Sequence, residues 1–267
     1  MRRAGARWLL LLVAVAAVVL ASGSTSAQVR DYDWYPEFRT WMQASVPIGQ
    51  RSPDTIAQRY AEKLTTEGVP ADEIQRRVML LRTKRQELEN DFWNRFFTID
   101  EPSFNTEPNA FLASVVNGRT PGKALDVGMG EGRNALFLAK LGWDVTGFDP
   151  ADQAVALAQK RAASMNLTLR TAVALDTEFD FGRDRWDLIV YSWVSPMQSA
   201  TKVIESLRPG GIVVVEAGRA WFPKNALLKI FDRLRIVHYE DRVAQSDFFN
   251  RREMPTVRLV AEKLGMP

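Results

Sequence analysis

The chain of 267 residues has no cysteine and a single histidine. Without thiols there are no disulfides, no thiolate metal site and no covalent cysteine catalysis. The lone His238 falls in a segment that reads as a strand, so it is expected to be a core or edge residue rather than a general base. No metal centre is expected. Low-complexity tracts are also missing, and 46% hydrophobic with 25% charged residues is a globular composition. The length allows one sizeable α/β core with an appendage.

A long hydrophobic run is lacking as well. Trp8–Ala21 is apolar over 14 residues, short of the roughly 20 that a membrane span requires. Arg2, Arg3 and Arg7 precede it and small residues follow as far as Ser26-Ala27. That layout predicts a secretory leader over residues 1–27, cleaved after Ala27. An uncleaved anchor through residues 8–21 is the alternative, and either places the remainder outside the cytoplasm, periplasmic, secreted or membrane-tethered. The leader carries three arginines and no acid, so the formal charge of +3 belongs to it and the remainder is formally neutral. No basic stripe interleaved with aromatics is left, which removes the electrostatic support for a nucleic-acid substrate. No protein partner is implied.

Residues 28–110 read as a helical N-terminal arm. The segment Asp31–Trp41 is aromatic-rich without clear periodicity, and Trp34, Tyr35, Phe38 and Trp41 are candidates either for a lid or for packing within the arm. Ser52 with Pro53 predicts a helix start, and Gly68 and Pro70 its end. A longer helix is expected from about Asp72 to Phe97, with Ile74, Val78, Leu81, Leu88, Phe92 and Phe96 as its apolar stripe. Its arginines read as a solvated surface, and Asp100–Pro108 as a linker. From residue 111 onward, apolar strands alternate with helices. The strands fall at Lys123–Val127, Asp144–Asp149, Thr168–Ala174, Asp187–Tyr191 and Gly211–Glu216. This predicts an α/β domain with a doubly wound, mostly parallel seven-stranded sheet. Arg235–Tyr239 and Thr256–Lys263 are expected as a closing antiparallel pair around a long polar loop.

The richest stretch is Ala124-Leu-Asp-Val-Gly128-Met-Gly130-Glu-Gly132-Arg-Asn134. A short apolar strand ends in alternating glycines and a helix begins at once. Glycine lets the backbone turn tightly and approach a ligand, and the helix N-terminus presents free N–H groups to an anion. Asp149 closes the next strand at the distance expected of a nucleotide-binding βαβ unit, where a carboxylate can accept both hydroxyls of a ribose. The site therefore suits an adenosyl ligand. A dinucleotide fingerprint would need glycine where Arg133 stands.

The spacing G-x-G-x-G, within Leu125–Ala139, instead resembles the class I (Rossmann-like) S-adenosylmethionine-dependent methyltransferases, in particular the small-molecule, tellurite-resistance-like branch. The resemblance covers about residue 111 to the C-terminus. It implies S-adenosyl-L-methionine as cofactor and a small-molecule methyl acceptor. It further implies that Asp126 orients the methionyl ammonium, and that Gly128, Gly130 and Gly132 bring backbone N–H groups to the ligand's carboxylate. Arg133 and Asn134 would reach the same end. A surface role for Arg133 is the alternative, and Asp126 could equally serve only to tie the glycine turn. Asp149 would take the ribose, Pro150 and Ala151 would lie against the adenine, and Asp176 would accept from its amine or else cap a turn. Tyr191, Ser192 and Trp193 at the fourth strand's end are the substrate-facing candidates, with plain packing as the alternative, and Tyr191 also touches the cofactor in this reading. Asp187 is expected to order the turn before that strand. No nucleophile–base pair stands out, and methyl transfer from an activated sulfonium does not require one.

Export conflicts with a cofactor held in the cytoplasm. Three readings remain: an exported enzyme, an exported non-catalytic binding protein that retains the methyltransferase fold, or a leader that does not act as one. A later start at Met42, the next methionine, would also remove Trp34, Tyr35 and Trp41.

Overall fold

The computed structural model describes residues 32–46, 50, 52–249 and 252–265, so the expected leader lies outside the described residues. Strands β1 (Lys123–Val127), β2 (Asp144–Asp149), β3 (Arg170–Val173), β4 (Trp186–Ser192) and β5 (Leu207–Gly218) are parallel. Strands β6 (Arg235–Gln245) and β7 (Glu253–Glu262) add an antiparallel edge, giving the order β3-β2-β1-β4-β5-β7-β6. Successive strand residues point to opposite faces. Leu125, Val127, Ile189, Tyr191, Val213 and Val215 thus enter one core, and Ala124, Leu188, Val190, Ile212 and Val214 the other. Burial on both faces is why these strands read as nearly unbroken apolar runs.

Two strand expectations need correction. β5 begins at Leu207, ahead of Gly211, because Leu207 pairs with Trp186 across an irregularity in the β4–β5 ladder. β6 continues past Tyr239 to Gln245 and pairs with β7 throughout. It lies at the sheet edge, where Asp241 and Arg242 are exposed, and a charged edge strand carries little hydrophobic signal. The expected long polar loop shrinks accordingly. His238 sits on this edge strand, exposed, its ring 5.4 Å from that of Phe111.

The arm is four helices: α1 (Tyr35–Ser45), α2 (Pro53–Thr66), α3 (Ala71–Thr83) and α4 (Arg85–Thr98). The Ser52 hydroxyl caps α2 by accepting from the Thr55 N–H at 3.2 Å, with Pro53 at the first helical position. The helix expected over residues 72–97 is two. No glycine or proline marks the break at Lys84. Instead the Thr83 hydroxyl donates back to the Met79 carbonyl at 2.8 Å, a bond that competes with the helix ladder. The turn there lets Leu80, Leu81 and Leu88 enter one arm core with Trp34, Tyr35, Phe38, Tyr60 and Leu64. Truncating a fully buried ring such as Phe38 would cost about 3–5 kcal/mol.

The sheet is wrapped by α5 (Ala110–Val116), α6 (Arg133–Lys140), α7 (Asp152–Ser164), α8 (Ala200–Ser206) and α9 (Ala226–Ile230). The arm docks onto this domain through Asn94, which is buried. Its amide donates to Asp152 Oδ1 at 2.8 Å and accepts from the Gln153 N–H at 3.0 Å. That clamp fixes α4 on the N-terminus of α7 and aims its aromatic face at the β1 loop. No helix among the described residues is long and apolar enough to cross a membrane.

Candidate functional site

In an open parallel sheet, ligands bind outside the carboxyl ends of the strands where the order reverses. Here that crevice lies at the ends of β1, β2 and β4, which are Val127, Asp149 and Ser192. Past β1 the backbone turns left-handed at Gly128, Gly130 and Gly132, with φ of 64°, 53° and 84°. A Cβ at Gly128 would lie 2.4 Å from Val194 Cγ2, and one at Gly130 would lie 2.6 Å from the Phe97 ring. Both positions therefore need glycine for conformation and for space. Phe97 of α4 thus sits directly on the loop, and of the three glycines it is Gly128 that lines the cavity.

Asp149 holds the loop in place. Its Oδ2 accepts from the Gly130 N–H at 3.0 Å and its Oδ1 from the Ala151 N–H at 2.8 Å. Burial raises its pKa, against the pull of those two N–H groups. Each oxygen keeps a second lone pair, and the side chain lines the cavity. Asp126 is buried one layer deeper. Its Oδ2 has no hydrogen-bond partner among the described residues. Burial pushes its carboxyl up to about 7, while the Arg133 charge and the Ala135 N–H act in the opposite sense. Glu131 on the same loop is buried too, raised by desolvation and facing Arg161 at 3.3 Å. Three buried carboxyls thus surround a short loop.

Arg133 does not balance them freely. One of its terminal nitrogens donates to the Glu107 carbonyl at 2.8 Å and to Asp247 Oδ2 at 2.9 Å. The other donates to Ser192 Oγ at 3.3 Å. It is buried rather than on the surface, and it ties the residue 100–108 linker and the β6–β7 loop to α6. Asn134 accepts from the Asn109 N–H at 2.9 Å, which fixes the start of α5.

The cavity over this loop measures about 550 Å³, within the 300–1,000 Å³ usual for small-molecule sites. Gly128, Met129, Glu131, Asp149 and Pro150 form its floor, with Ser192–Ser195 beside them. Its roof comes from Phe92, Trp93, Phe96 and Phe97 of α4, from Pro36, Arg39, Thr40, Met42 and Gln43 of α1, and from Trp221, Phe248 and Phe249. Asp247 carries Phe248 into place through its ion pair with Arg133, and the Phe248 carbonyl accepts from the Asn105 N–H at 2.9 Å.

The structure thus brings together Gly128, Arg133, Asn134, Asp149, Pro150, Ser192 and Trp193 around one cavity. Asp126, Gly130 and Gly132 lie behind its wall. Tyr191 and Asp176 are not among its lining residues. They meet each other instead: the Tyr191 hydroxyl lies 2.7 Å from Ser199 Oγ, which donates to Asp176 Oδ2 at 2.9 Å. Because the Ser199 hydroxyl donates to Asp176, Tyr191 is the donor to Ser199, and burial pushes its phenol further up. Asp187 accepts from the Lys123 N–H and pairs with Arg208 at 3.1 Å, an ordering role. Trp34, Tyr35 and Phe38 are packed in the arm core with Trp41 against them. The aromatic roof comes from α4, the β6–β7 loop and Trp221 after β5. Sequence reasoning left Trp93, Phe97, Phe248 and Phe249 without a site role. The signal was available in Phe92-Trp93-Asn94-Arg95-Phe96-Phe97, which holds more aromatics than one packing stripe uses.

Residues 97–209 match the family model of the tellurite resistance protein TehB. A segment of 54 residues is 41% identical to the "Probable S-adenosyl-L-methionine-dependent methyltransferase TehB" of Haemophilus influenzae, covering 20% of this chain and 19% of that protein. Another of 82 residues is 38% identical to "Hemagglutinin 1" of Eikenella corrodens, covering 28% of this chain and 27% of that one. The chain therefore spans about a quarter or less of the curated relatives it matches. Among solved structures, TehB from Haemophilus influenzae superposes with a TM-score of 0.50 at 21% identity, over 57% of this chain and 61% of its own. That likeness is one of fold.

Proposed function

We propose that this chain, a class I S-adenosylmethionine-dependent methyltransferase of the tellurite-resistance-like branch, methylates a small organic molecule held in the aromatic cavity. The observation that carries the reading is the continuity of the Gly128–Asp149 floor with that cavity. S-adenosylmethionine, when bound, supplies a methyl group already activated on a sulfonium, with a neutral thioether as leaving group. The residues present fit it. Gly128 and Asp149 line the cavity, and each Asp149 oxygen keeps a lone pair beyond its backbone hydrogen bond. On the floor Glu131 faces Arg161 and Arg133 is paired to Asp247, which leaves Asp149 as the carboxyl without an ion partner among the described residues.

Among the described residues lining the cavity, the carboxyls are Glu131 and Asp149, both on the floor, and no histidine, cysteine, lysine or tyrosine is present. The chain's contribution is therefore orientation and exclusion of water by the aromatic roof. Titration of the purified protein with S-adenosylmethionine and S-adenosylhomocysteine, beside Asp149→Ala, tests this. Micromolar binding that the variant weakens about 10- to 100-fold supports it, the loss of a charged hydrogen bond of roughly 1.5–3 kcal/mol. No binding of either ligand would leave the fold as a non-catalytic binding scaffold.

We further propose that residues 1–27 export the protein or tether it to a membrane. Mass spectrometry of the mature N-terminus after cell fractionation checks this: a chain beginning at Gln28 outside the cytoplasm supports cleavage, and an intact cytoplasmic chain refutes export.

A further inference from the structure

The cavity has two poles. Its floor carries Asp149, Glu131 and an Arg133 already paired to Asp247, while the α1 wall contributes a second cation, Arg39. Arg39 is stacked on the roof, its guanidinium carbon 4.0 Å from the centre of the Phe92 ring and 4.6 Å from that of Trp93. The nearest carboxylate atom, Glu89 Oε2, lies 3.3 Å from Nε, yet Nε completes no hydrogen bond among the described residues. The side chain is only 14% exposed. Burial lowers its pKa more than Glu89 restores it, as for a guanidinium whose charge is incompletely met. A planar guanidinium held flat on aromatic rings offers its remaining donors edge-on, the geometry that grips a carboxylate.

The Trp193 ring lines the same cavity, with its indole N–H buried inside the wall. Trp193 is buried, and its Nε1–H has no acceptor among the described residues. Its backbone is left-handed at φ 61°, an uncommon conformation for a bulky side chain that turns it out of line with β4. Around Arg39 the walls are rings, chiefly Phe92, Trp93, Phe96, Phe97, Trp221 and Phe248. A flat apolar body with a hydrogen-bond-accepting anion suits such walls.

Building on the proposed methyltransferase reading, we infer that Arg39 is the specificity-determining residue of the acceptor pocket, selecting a planar aromatic acid over its uncharged counterparts. The helical arm then does more than cover the cofactor. It supplies the acceptor's anchor, and the cationic and anionic ligands are sorted to opposite poles of one cavity.

The test uses the purified full-length chain and two probes of one shape, 2-naphthoate and 2-naphthamide. Binding is read by calorimetry with and without S-adenosylhomocysteine. The wild type is expected to bind the acid at least tenfold more tightly than the amide. Arg39→Gln is expected to erase that preference while S-adenosylhomocysteine still binds. Equal binding of acid and amide, no binding of either, or a preference that survives Arg39→Gln would overturn the assignment. If Arg39→Gln does not fold, Arg39→Lys decides. Retained preference at reduced affinity supports the anchor, and an equal loss for both probes contradicts it. Loss of S-adenosylhomocysteine binding by the wild type would instead refute the cofactor reading, whatever the naphthoate result.

Discussion

Asp126→Asn should make the protein more tolerant of alkaline pH. The carboxyl is fully buried, lacks a partner for Oδ2, and is pushed up to about 7 by desolvation. An exposed Asp in the unfolded chain titrates near 3.9. A folded pKa above the unfolded one means the native state holds the proton more tightly. The associated stability is complete below about pH 4 and is lost as pH rises to about 7. At roughly 1.4 kcal/mol per unit, the whole loss is about 4 kcal/mol, of which about 2–3 kcal/mol falls between pH 5 and pH 8. Asparagine cannot ionise, so that share of the pH dependence should vanish. The variant would be less stable than the wild type at pH 5, because its amide brings donors without partners, at about 1–3 kcal/mol. It should match or exceed the wild type at pH 8. Urea unfolding at both pH values measures the difference. Parallel pH profiles would refute the claim that Asp126 is a strained, protonatable acid. The same sign applies to Glu131, Asp149 and Glu216, also raised by burial, so the wild-type profile contains their contributions as well.

Gly130→Ala should lower stability by about 2 kcal/mol or more, from a left-handed backbone and from a Cβ pressed onto Phe97, and limited proteolysis should then cut α4 first. Asp247→Ala leaves Arg133 buried without its ion partner. A loss of about 3–5 kcal/mol is expected, with faster amide exchange around residues 246–249, and an unchanged exchange pattern would contradict the role given to this pair. Tyr191→Phe should cost about 1 kcal/mol in thermal unfolding by removing the bond that Tyr191 donates to Ser199, yet S-adenosylhomocysteine affinity should stay within twofold, because Tyr191 faces Ser199 and not the cavity.

The parts of this architecture legible in the sequence are those whose cause is local. β1 and β2 run over the residues expected, Lys123–Val127 and Asp144–Asp149, since each is an apolar run buried on both faces. Ser52 and Pro53 declare a helix start through the hydrogen bond and the fixed φ they bring. The Gly128–Gly132 loop and Asp149 meet through an N–H to carboxylate bond of 19-residue separation, within one βαβ unit. What escaped depends on distant pairing. Asn94 reaches Asp152 and Gln153 across nearly 60 residues, and that clamp is what turns the α4 aromatics from an apparent packing stripe into a cavity roof. Arg133 reads as a ligand contact or a surface residue until Asp247, 114 residues away, is seen to occupy it. Tyr191 and Asp176 both look site-directed from their strand ends, but Ser199 joins them to each other. The break at Lys84 and the long β6 carry weak local signals, one decided by the arm core and the other by an exposed, charged edge.

The central claim is that one cavity, floored by Asp149 and roofed by α4, receives the adenosyl ligand. A crystal structure of the protein with S-adenosylhomocysteine tests it most directly. The account predicts the ribose hydroxyls on the Asp149 carboxylate, the adenine against Pro150, and Phe97 still seated over the loop. An adenosyl group bound elsewhere, or a ligand that makes no contact with Asp149, would contradict it.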